Sequence, residues 1–65
     1  MTKDERHLIA SHAKTLDAPE IRNLVILFEA LSKVCRSVPR AEDYTAKAEI
    51  YANRYGVVLA TEAGS

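Results

Sequence analysis

The sequence predicts an all-α fold: a small three-helix domain with short connections and an extended C-terminal arm, assembled as a homodimeric helical bundle. Apolar residues recur at helical spacing in three segments of the chain. Each segment opens on a capping residue or a proline, with only two or three residues between helices. The third observation is size. At 65 residues the chain is one domain at most, and a domain this short buries only about 60% of the surface its unfolded chain exposes. Small scaffolds compensate with disulfides, a metal, regular helix packing or oligomerisation. Cys35 is the single cysteine and so forms no intrachain disulfide. His7, His12 and Cys35 are the only soft or borderline metal ligands, and no metal or other cofactor is expected. Regular packing and a second copy remain.

Thr2-Lys3-Asp4-Glu5 has the form of a capping box and opens a helix over 3–15. Asp17-Ala18-Pro19-Glu20 repeats the signal for a helix over 18–37. Asp17 is the N-cap, Pro19 falls in the first turn where a missing N–H costs nothing, and Glu20 faces the positive end of the dipole. Pro39 cannot sit inside a helix, so the second helix ends by Ser37 and a third runs over 40–55. Gly56 supplies a left-handed stop. The three-helix domain therefore covers 1–56, and 57–65 form an arm whose run Val57-Val58-Leu59-Ala60 lies over a groove of this chain or of a partner.

On a wheel of 100° per residue, Tyr44, Tyr51 and Tyr55 fall within about 40° of one another on the third helix. Ala41, Ala48 and Ala52 lie beside them, while Glu42, Glu49 and Asn53 point away. Such a stripe has two readings, a core or core rim with polar tips to satisfy, or a contact face for a partner. The second helix is the most apolar, covering about half its wheel against the roughly 100° a surface helix needs. It is expected to be the central element, with apolar surface to spare. The expected core and dimer interface is Leu24, Phe28, Leu31 and Cys35, helped by Leu8 and Leu16.

His12 falls between Leu8 and Leu16. It reads as a neutral rim histidine hydrogen-bonded to a tyrosine hydroxyl, or as a pH-sensitive contact. His7 lies about 140° round the helix from it, which does not make a metal pair. Cys35 reads as a small buried hydrophobe, or as a thiol activated by Lys33 and Arg36. Lys33, Arg36 and Arg40 cluster at the second corner. They either complement the negative end of the second helix or form a site for an anion or an acidic partner.

Charge is balanced, with nine Lys and Arg against nine Asp and Glu. The N-terminus carries no apolar run of signal-peptide type and the chain no membrane-length one. With one thiol, this points to a cytoplasmic protein. Met1 and the lack of a tag suggest a whole gene product. No glycine-rich phosphate loop, HExxH, GxSxG or CxxC occurs, so catalysis is not expected. A helix-turn-helix-like DNA-binding regulator is the alternative by size. However, DNA binding rests on neutralising phosphates, and the outer side of the third helix carries Glu42, Asp43 and Glu49. The remaining expectation is a small regulator, an inhibitor before anything else, that binds a larger protein. Such proteins abound among bacterial and phage genes. Partner contacts are expected at Tyr44, Tyr51, Tyr55, Val57, Val58 and Leu59, or at Lys33, Arg36 and Arg40.

Overall fold

The computed structural model describes residues 1–64. It contains three helices, α1 (Lys3–Ala13), α2 (Ala18–Val34) and α3 (Val38–Gly64). Both N-caps form as the sequence implies. The Thr2 hydroxyl accepts from the Glu5 N–H at 3.2 Å, and the Asp17 carboxylate accepts from the Glu20 N–H at 3.0 Å. Each satisfies one of the orphan donors of a first turn. α1 ends two residues early because its last turn tightens. Thr15 and Leu16 donate three residues back, to His12 and Ala13, and the Thr15 hydroxyl also bonds the His12 carbonyl at 2.7 Å. α2 stops at Val34, where Cys35 turns extended, and Val38 with Pro39 opens α3.

The expected arm is instead helix. α3 runs through Gly56 to Gly64, 27 residues, and no described glycine has positive φ. Gly56 permits a left-handed stop but does not impose one. Packing decides against it: a continuous helix places Val58 on the face of Tyr51 and Tyr55, where all three join the core. The residue Ser65 lies outside the described residues. A Cβ added at Gly56 meets nothing within 4 Å. Gly56→Ala should therefore raise stability by about 0.8–1 kcal/mol, the usual helix-interior difference. A left-handed cap would give the opposite sign, so a pair of urea titrations decides between helix and arm.

α3, not α2, is the central element. It packs against both α1 and α2, which barely touch each other. The terminal ammonium of Met1 pairs with Asp43 at 3.3 Å and His12 reaches Tyr51, so α1 runs parallel to α3. Phe28 stacks on Tyr44 and Tyr51 while Ile21 meets Tyr51 in the core, so α2 runs antiparallel. At a rise of about 1.5 Å per residue α3 is about as long as the molecule, whose extents are 42 × 24 × 14 Å. α2 was expected in the centre because of its wide apolar arc. The arc is real, but part of it faces outward.

The buried core is small: Ala13, Ile21, Ala48 and Tyr51. Ile9, Leu16, Leu24, Val25, Phe28, Tyr55 and Val58 pack around it, half-buried. Ala13 and Ala48 let the helices approach closely. The buried face of α1 is thus centred on Ile9 and Ala13, and Leu8, expected at the core or dimer interface, is 70% exposed in the single chain, outside its core. The accessible surface is 4808 Å², against about 4,100 Å² for a compact monomer of 7.2 kDa. The radius of gyration, 12.3 Å, likewise exceeds the roughly 11 Å of a compact domain.

Candidate interaction surfaces

The tyrosine stripe divides. Tyr51 is buried, only 5% exposed, and holds the three helices together. Its ring lies parallel to Phe28 of α2, with centroids 5.8 Å apart, and edge-on to His12 of α1 at 6.1 Å. Its hydroxyl lies 2.9 Å from His12 Nδ1. This satisfies the polar tip that burial would otherwise strand. The hydroxyl can donate to a neutral imidazole or accept from a protonated one, so the contact survives either state of the ring. Burial pushes the Tyr51 phenol above its ordinary value of 10.0. The raised value means that the folded state holds this proton more tightly than the unfolded state. Its contribution is complete below pH 10 and is lost as pH rises through the folded value. A melting series over pH 8 to 12 should show a smaller alkaline loss for Tyr51→Phe than for the natural chain; equal losses would contradict this.

Tyr44 and Tyr55 are half-buried. Tyr44 stacks near Phe28 at 6.1 Å, and the Lys47 ammonium lies 5.8 Å from the Tyr44 centroid and 5.9 Å from that of Phe28. This is cation–π distance. So Phe28 and Leu16, both expected at a core or dimer interface, pack within the chain itself.

Lys33, Arg36 and Arg40 are all exposed. Lys33 lines a hollow together with Glu29 and Glu49. Cys35 is half-buried, its thiol 3.6 Å from the Ser37 carbonyl. The hollow it lines holds Glu42 and Glu49 but neither Lys33 nor Arg36.

Two surfaces are left open. The first is the outer face of α2. Leu24, Leu27, Leu31 and Val34 follow one another at spacings of three, four and three, the pattern of a two-helix seam. Leu24 and Leu31 straddle the core edge, while Leu27 is 50% and Val34 75% exposed. Ala30, also exposed, lies between them. The second surface is a shallow groove on the side of α3 away from α2. One hollow of about 320 Å³ is lined by Lys3, Arg6, His7, Ala10 and Ile50. A second, of about 310 Å³, is lined by Ala10, Lys14, Ile50, Asn53, Arg54 and Val57. The spacing of Lys3, His7, Ala10 and Lys14 along one side of α1 was open to a sequence reading. Their meeting with Ile50 and Arg54 was not. Val57 and Leu59 are exposed on α3, Val57 at this groove. Arg54 Nε is buried without a hydrogen-bond partner, a state that costs about 1–3 kcal/mol.

No protein-family model, curated protein or solved structure matches the chain. Among the described residues no group of three or more side chains is placed to hold a metal ion. No described helix is long and apolar enough to cross a membrane.

Proposed function

We propose that the chain is a small non-catalytic protein-interaction protein that works as a homodimer and regulates a larger protein, most simply by occupying a surface on it. The observation that carries the reading is the outer face of α2. Leu27 and Val34, in a seam of leucines and a valine at coiled-coil spacing, stand in water, on a molecule that exposes roughly 700 Å² more than a compact monomer of its mass. Specific interfaces bury about 800 Å² on each partner, so one second copy on this face would account for the excess. Leu24, Leu27, Leu31 and Val34 form the dimer surface in this reading, with Ala30 allowing close approach. Phe28, Leu16 and Tyr51 serve the fold of each copy. The exposed side of α3 carries Glu42 and Glu49, which suits a protein partner better than a phosphate backbone. A single free thiol suits a reducing, cytoplasmic setting.

The experiment is the mass in solution, by light scattering after size exclusion over a concentration series. A dimer of twice 7.2 kDa that persists to low micromolar concentration is the expected result. A mass of one chain throughout the series would overturn the dimer and leave the α2 face open for another protein.

A further inference from the structure

We propose that the groove between α1 and α3 docks an acidic, amphipathic helical segment of the regulated protein. The inference rests on the protein-binding reading above and adds the chemistry of the partner. Ala10 and Ile50 line both hollows, so the two are one continuous groove. Its apolar floor is Ala10, Ile50 and Val57. Ile50 and Val57 stand two helical turns apart, the spacing at which a docked helix presents anchors i and i+7.

The rim decides the sign of the partner. Lys3, Arg6 and His7 stand at one end and Lys14 and Arg54 at the other, and no carboxylate lines either hollow. This happens on a chain of zero net charge, because the acids lie elsewhere. Glu42 and Asp43 line a separate hollow at the start of α3, which Arg6 also borders. Glu29 and Glu49 line another hollow with Lys33 on the α2–α3 side. The groove is therefore cationic by arrangement rather than by composition. Arg54, half-buried, lines the groove beside Lys14. From Lys3 to Lys14 the groove follows α1 for about 17 Å at helical rise, room for three turns of a partner helix. A nucleic acid fits less well. Four Lys and Arg neutralise few phosphates, and the apolar floor offers a phosphate backbone nothing.

The test uses the full-length chain and three labelled probes. One is a designed peptide of about 14 residues, with leucines at i, i+3 and i+7 and glutamates on its other face. The second replaces each glutamate by lysine, and the third is a DNA duplex of similar length. Fluorescence anisotropy at physiological salt gives affinities, and amide shifts of the labelled protein give the location. The acidic peptide should bind at least about tenfold tighter than the other two, with shifts centred on Ala10, Ile50 and Val57. In the double variant Arg6→Glu, Lys14→Glu, both exposed rim positions, the preference should pass to the lysine peptide while the melting temperature stays near its original value. Equal binding of the two peptides, or tighter binding of the duplex, overturns the proposal. Shifts centred on Leu27 and Val34 also overturn it, yet leave the protein-binding reading standing. Absence of any peptide binding in a chain that still dimerises removes the groove and keeps the dimer.

Discussion

Tyr51→Ala is expected to leave the chain unfolded at room temperature. Folding stability of about 0.05–0.15 kcal/mol per residue gives this domain roughly 3–10 kcal/mol in total. Truncating a large buried aromatic costs roughly 3–5 kcal/mol, and here the loss is concentrated. Tyr51 is the residue that α1 and α2 both reach, through His12 and Phe28, while α1 and α2 barely touch each other. Removing the ring separates α1 from the rest as well as hollowing the core. Tyr51→Phe keeps the stack with Phe28 and gives up only the hydroxyl contact, on the scale of 1 kcal/mol. Far-ultraviolet circular dichroism during thermal melting should show no cooperative transition for the alanine variant and a slightly lowered one for phenylalanine. A cooperative transition for Tyr51→Ala within a few degrees of the natural chain would show that the stripe is not core.

Leu27→Glu should convert the proposed dimer to a folded monomer. In a single chain Leu27 is half exposed, and Leu and Glu have similar helix propensities. Surface substitutions of this kind stay within about 0.5 kcal/mol. At a two-fold seam the same change buries a charge near its own copy, where an unpaired charge costs about 3–5 kcal/mol. This corresponds to a dissociation constant raised more than a hundredfold. Val34→Glu, at a still more exposed position, should do the same without unfolding. Light scattering together with a melting curve separates the outcomes. A halved mass with the fold kept supports the seam. An unchanged dimer mass moves the interface elsewhere, and loss of the fold at both positions would mean that α2 uses this face within its own chain.

Much of this was legible along the chain because it is local. The caps at Thr2 and Asp17 are contacts three residues long, and a pattern of side-chain types at that distance specifies them. The wheel placed the three tyrosines together and foresaw a tyrosine hydroxyl for His12. It also foresaw that α2 keeps apolar surface uncovered, at Ile26, Leu27 and Val34. Two inferences failed where they needed distant partners, the helix stop at Gly56 and the central place given to α2. Gly56 has no local reason to be helical, and Val58 reaching the core outweighs the stop signal. Leu8 is as apolar as Ile9, yet within the single chain Ile9 packs on the core and Leu8 faces water.

The sequence by itself determined an all-α chain of three helices, where the first two begin, and the apolar surplus on the second. These follow from backbone hydrogen bonding and from period, which act over a few residues. Only the tertiary structure decided that α3 is the spine, that Tyr51 is interior while Leu27 and Val34 are not, and that Lys14 and Arg54 share a groove. Those outcomes depend on which of several apolar faces meet, and close packing chooses among them by the fit of small residues such as Ala13 and Ala48 against large ones.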